Sequence, residues 1–162
     1  MSFILDARRQ SGVVAAFGRY RSYIASLRGK MPPSAFDLAS SDWYFDFGDH
    51  RCPHDAWLEQ ITIGESASGE RGEIRTTSIR IRLLGAYHDG FFEFHYPRVI
   101  RYRLDMIDAE EGHQDWRYDE FRLSEDGHVI HEIEWSGAGD AARWVIVASD
   151  VEYKWHPLKQ GG

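Results

Sequence analysis

The chain predicts an α+β fold, with helices first and then six or seven mostly antiparallel strands forming a sandwich or a partly open barrel, and three observations carry that expectation. Apolar residues recur at helical spacing only between about residues 10 and 40. Beyond Ser41 apolar and polar side chains alternate with a period of two, rich in aromatic and β-branched types. Turn residues punctuate those alternating runs at short intervals, which joins neighbouring strands as hairpins.

The helical segment rests on Val13, Phe17, Tyr20, Ile24 and Leu27, which fall on one helix face between Gln10 and Arg28. Gly29 ends it, Met31-Pro32-Pro33 breaks the chain, and Ser34 opens a second short helix through Ala39. Such a stripe is expected to pack on the domain's own core.

Strands follow from residue 42. Trp57 to Ile63 alternates with Trp57, Ile61 and Ile63 on one face, and Ile79, Ile81 and Leu83 alternate with Arg80 and Arg82. Phe92, Phe94 and Tyr96 read as one strand continuing through Ile100, Tyr102 and Leu104. Ser66 to Gly72 reads as a flexible loop, His88-Asp89-Gly90 as a tight turn, and Glu125-Asp126-Gly127 as a hairpin. Asp108 to Asp115 is the longest acidic connection, and Gly137 to Asp140 turns into a last strand region, Arg143 to Trp155. Nothing divides the chain, so residues 1–158 are expected as one domain, helical over 10–40 and β-rich over 42–157, with 159–162 a frayed tail.

Charge narrows the partners. The first thirty residues hold six basic groups and Asp6, a net +5 of the chain's −7, so the remainder carries −12. An acidic β portion is a poor match for phosphates and a good one for a basic protein, so no nucleic-acid partner is expected. Cys52 is the single cysteine and no apolar run approaches a bilayer's thickness, which predicts a cytoplasmic protein without disulfides and without a membrane partner. A basic N-terminus suggests a transit peptide, yet its apolar residues continue into the packing helix and no cleavage pattern stands out.

Candidate chemistry is sparse. His50-Arg51-Cys52-Pro53-His54-Asp55 collects possible ligands but lacks a second ligand pair downstream, so neither a metal nor another cofactor is expected. Asp55 is expected to bond backbone amides where the chain enters its strand. Asp119-Glu120 and His131-Glu132 flank the Asp126-Gly127 hairpin and could face each other, as an acid/base pair or as a cross-strand polar contact. Asp150, Glu152, Tyr153 and Trp155 mix rings and acids as an interface for a basic protein requires, although Trp144 and at least one of Tyr153 and Trp155 are expected in the core. Nucleotide-binding glycine patterns, the nucleophile elbow and the His-Glu-x-x-His helix are absent, so no catalytic residue is assigned.

Three segments carry a resemblance: Cys52-Pro53-His54-Asp55-Ala56-Trp57-Leu58-Glu59-Gln60-Ile61, then Asp119-Glu120, then His131-Glu132-Ile133-Glu134-Trp135 with Trp144-Val145-Ile146 and Tyr153-Lys154-Trp155. The arrangement resembles small uncharacterised bacterial proteins with a His-Asp-x-x-Leu-x-x-Ile strand, whose looser relatives include immunity proteins of polymorphic toxin systems. The resemblance implies a cytoplasmic β-rich domain that binds and neutralises a toxin, and it carries over no catalytic residues. Three readings follow: a protein-binding module of this kind; a small metal- or ligand-dependent enzyme using His54, Asp55, Glu120 and His131; and a β-barrel holding an apolar ligand among Phe92, Phe94 and Tyr102.

Overall fold

The computed structural model describes residues 2–5, 12–105, 110–137 and 142–159. Two helices, α1 (Val13–Ser26) and α2 (Pro33–Ser40), precede eight strands: β1 (Trp57–Ser68), β2 (Ile74–Leu84), β3 (Gly90–Tyr96), β4 (Val99–Leu104), β5 (Trp116–Leu123), β6 (Val129–Trp135), β7 (Ala142–Ala148) and β8 (Glu152–Pro157). All pair antiparallel, in one sheet of order β1-β2-β3-β8 and another of order β4-β7-β6-β5. The helical start is therefore as expected, with residues 10 and 11 of the anticipated helix outside the described residues. Ala138 to Asp140, Asp108 and the end of the tail also lie outside them.

Among the described residues the strands number eight, not six or seven, for two physical reasons. Pro97 has no N–H to offer a ladder, so the run read as one strand through Leu104 breaks there, and β3 and β4 belong to different sheets. The last region likewise divides at Ser149 to Val151 into β7 and β8, one in each sheet. Ser66 to Ser68 are paired strand instead of loop; the turn is confined to residues 69–73, where Gly69 and Gly72 take positive φ.

The alternating residues do what their period requires. Ile79, Ile81, Leu83, Phe92, Phe94 and Tyr96 of one sheet and Phe121, Ile133, Trp135, Trp144 and Ile146 of the other are buried in one core. Phe94 stacks on Trp116 at 5.3 Å and 11° between the two sheets. In β1 a bulge between Leu58 and Gln60 displaces Glu59, so Leu58 and Ile61 pack inward while Trp57 stays half exposed. Ahead of that bulge the Asp55 N–H donates to Trp116 and the Trp116 N–H donates to Ala56, which ties the entry of β1 to the start of β5 and joins the two sheets.

Tyr20 and Ile24 on α1 are buried, and the helix lies over the open edge of β5. The Tyr20 hydroxyl donates to the Phe121 carbonyl at 3.0 Å and accepts the Phe121 N–H at 2.7 Å, while Tyr23 accepts the Leu123 N–H. Two phenols thus do for this edge what a further strand would.

Candidate functional site

The hairpin register separates the polar cluster expected around Asp126-Gly127 onto two faces. Asp119 stands opposite Ile133, Glu120 opposite Glu132, and Phe121 opposite His131. Asp119 and His131 point between the sheets, where His131 Nε2 lies 2.8 Å from Asp119 Oδ2 on the diagonal. Tyr44 donates to the same oxygen at 2.6 Å, Trp116 Nε1 donates to Oδ1 at 3.1 Å, and Tyr96 pairs with His131 Nδ1 at 2.6 Å. Burial raises the phenols of Tyr44 and Tyr96 well above their ordinary range, helped by the Asp119 charge beside them. With Asp119 5% and His131 0% exposed, the group is sealed from any diffusing substrate.

Glu120 and Glu132 look the other way. The buried Glu120 carboxylate accepts the N–H groups of Phe3, Ile4 and Leu5, the closest at 2.8 Å, together with Arg122 at 3.0 Å. Burial raises its carboxyl, opposed by Arg122 and by those three amides. Arg122 also reaches Glu132 at 2.5 Å, and Arg143 links Glu132 to Glu134. Glu120, Glu132 and Glu134 are thus held in a ladder with arginines, and part of the negative charge of the β portion is spent inside the molecule instead of on its surface.

His54 and Asp55 join neither group. The His54 ring stacks on Phe47 at 3.8 Å and its Nδ1 lies 2.5 Å from the Arg117 carbonyl. Asp55 adopts φ 64°, and its exposed carboxylate approaches His54 Nε2 at 3.5 Å instead of binding backbone amides as expected. His54, Asp55, Glu120 and His131 therefore do not converge on one pocket. Cys52 is buried against the Tyr44 carbonyl and burial pushes its thiol up to about 12, leaving it a poor ligand and a poor nucleophile. No group of three metal-ligating side chains occurs among the described residues. Phe92 and Phe94 are fully buried among packed rings while Tyr102 stands exposed on the edge strand β4, so the three line no common cavity.

The expected interface set is divided as well. Asp150 accepts the Ser34 and Ala35 N–H groups at the start of α2, at 3.2 and 2.9 Å. Trp155 packs so closely on Gly90 that a Cβ there would lie 2.4 Å from its ring. Glu152 and Tyr153 do line an open groove of about 530 Å³ with Asp37, Leu38 and Trp43, although Glu152 is already engaged by His95 at 2.9 Å.

A second concavity, of about 510 Å³, is lined by Trp57, Leu58, Glu111, His113 and Asp115. Trp57 is 47% exposed and donates its indole N–H to Asp115 at 2.7 Å. Gln114 holds Glu111 at 2.9 Å, and no cation among the described residues pairs with either carboxylate. Burial lowers His113 from its ordinary value, which disfavours its charged form. Its ring rests against Trp135 and Trp144 at 5.1 and 5.0 Å. The acidic run through Asp115 was visible in the sequence; its meeting with Trp57 was not, because residues 55–57 reach it only through the pairing with β5.

No family model, curated protein or solved structure matches the chain. No helix among the described residues is long and apolar enough to cross a membrane.

Proposed function

We propose that this chain is a protein-binding module that receives a basic partner, in its immunity-type form a bacterial toxin, in the cleft beside Trp57. The observation that carries the reading is the pairing of a half-exposed tryptophan with two carboxylates, Glu111 and Asp115, that have no cation beside them among the described residues. An aromatic anchor next to uncompensated negative charge suits a lysine or arginine side chain, with the ring supplying contact area and cation–π attraction and the carboxylates steering the approach. The acid/base cluster supports an enzymatic reading less well, because its His-Asp pair is enclosed.

The test is capture from the native host by the tagged chain. A basic protein retained in equal amount and released by raising the salt supports the proposal, provided Trp57→Ala and the double variant Glu111→Gln, Asp115→Asn each lose it while Glu152→Gln keeps it. Retention that ignores both salt and the cleft variants sinks it.

A further inference from the structure

The two sheets have four edges, and three are defended. β5 is covered by Tyr20 and Tyr23. β4 is six residues long, carries the exposed Arg101 and Arg103, and is bulged between Val99 and Arg101. β8 is also six residues long, includes Lys154 and ends on Pro157, with Tyr153 anchored to the Arg51 carbonyl. Short length, basic side chains, bulges and proline are the usual means of stopping strand-to-strand association.

β1 has almost none of these. It runs for 12 residues without lysine, arginine or proline, and its one bulge lies at the start. From Gln60 to Ser68 it pairs with β2 without a register shift, and among the described residues β2 is its only ladder partner there. Every residue from Thr62 to Ser68 is exposed, including Ile63 at 42%. An isoleucine therefore stands in water on an edge whose outward side has no ladder partner among the described residues.

We propose that two copies of this chain join edge to edge through β1, in an antiparallel pair centred on Ile63, making one continuous eight-stranded sheet. The occupant is argued from the strand's own charge pattern. A two-fold axis through the sheet keeps both cores on the same side, so residues that face each other must share a face and a parity. With Ile63 on the axis it meets its own counterpart, Thr62 meets Gly64, Ile61 meets Glu65 and Gln60 meets Ser66. Moving the axis to Thr62 sets Ile61 against Ile63 but brings the bulged Glu59 of each copy toward Glu65 of the other, two approaches of like charge. Moving it to Gly64 leaves Ile63 facing Glu65. The Ile63 register is the one that covers the exposed isoleucine with an apolar neighbour and opposes no like charges. Arg75, 3.3 Å from Glu65 on the neighbouring strand, offsets the carboxylate that this register lays beside Ile61. The pairing uses residues 60–66, past the Trp57 cleft, and does not rest on the function proposed above.

Sedimentation of the full chain from low concentration up to about 200 µM tests the pairing, since an edge-strand contact of this size is expected in the micromolar range. The expected result is a rise from the 18.8 kDa monomer toward twice that mass. Ile63→Lys should weaken association by about tenfold or more while leaving the melting temperature of the dilute monomer unchanged, because the side chain is exposed. Under mild oxidation Ile63→Cys should link two copies quickly and Gln60→Cys slowly, since Gln60 does not face its own counterpart. A chain that stays monomeric throughout, a dimer indifferent to Ile63→Lys, or equal linking at both positions overturns the proposal.

Discussion

Asp119 and His131 are joined at 2.8 Å on a diagonal across β5 and β6, both buried. His131 Nε2 faces Asp119 Oδ2 and its Nδ1 faces the Tyr96 hydroxyl at 2.6 Å, so both ring nitrogens are engaged. Tyr44 and Trp116 complete the acceptor needs of Asp119 from the other side. The result is a closed polar chain within an aromatic core.

Removing that acceptor should be costly. Asp119→Ala leaves His131 Nε2, the Tyr44 hydroxyl and Trp116 Nε1 without their partner in a dry interior and is expected to destabilise by about 3 kcal/mol or more, read as a fall in the urea midpoint. Asp119→Ala combined with His131→Leu should cost less than the sum of the two single changes. Strict additivity would mean that the pair is not coupled.

The open edge of β5 depends on Tyr20. Tyr20→Phe keeps the ring and removes one oxygen that satisfies both the N–H and the carbonyl of Phe121, groups that water cannot reach at a fully buried site. A loss of about 1 to 3 kcal/mol is expected, with faster amide exchange at Phe121. Unchanged exchange there would show that the phenol does not guard the edge.

Alkaline pH should unfold the protein in a single step. Burial first, and nearby negative charge second, raises Tyr44 and Tyr96; burial also raises Tyr20 and Tyr153, and pushes Cys52 up to about 12. In the unfolded chain thiols ionise near about 8.5 and phenols near about 10, so above those values the folded state holds more protons. Stability is therefore intact below the unfolded values and is lost as pH rises toward the folded ones. Tyrosinate absorbance should show a late component that appears together with loss of structure. A thiol reagent should label Cys52 only after urea is added, and rapid labelling of the native protein would contradict its burial.

How far the sequence could be read depends on the range of the interactions involved. The stripe of Tyr20, Ile24 and Leu27 and the alternation of Ile79, Ile81 and Leu83 were legible because each is a local periodicity that points side chains to one face. Glycine at position 127 was legible as a turn because positive φ is a property of the residue itself. The break at Pro97 was missed because the even-numbered apolar residues continue in step on both sides of it, although the chain changes sheets there.

The candidate site was less legible, and for the same reason. Asp119, Glu120, His131 and Glu132 could be named from their place beside a hairpin, but a register offset of one residue decides which of them meet, and only the folded ladder fixes it. Glu152 and Tyr153 do reach a groove, whereas Asp150 is taken by the N–H groups at the start of α2.

By itself the sequence determined a helical start, a β remainder, its turns and a charge divided between two segments, since these follow from neighbours along the chain. The tertiary structure alone decided that most of the rings lie inside, that Asp119, Glu120, Glu132 and Glu134 are held by internal partners, and that Trp57 meets Glu111 and Asp115. Those outcomes depend on which distant strands are paired, and a pairing energy between residues sixty positions apart leaves no periodic mark on either segment.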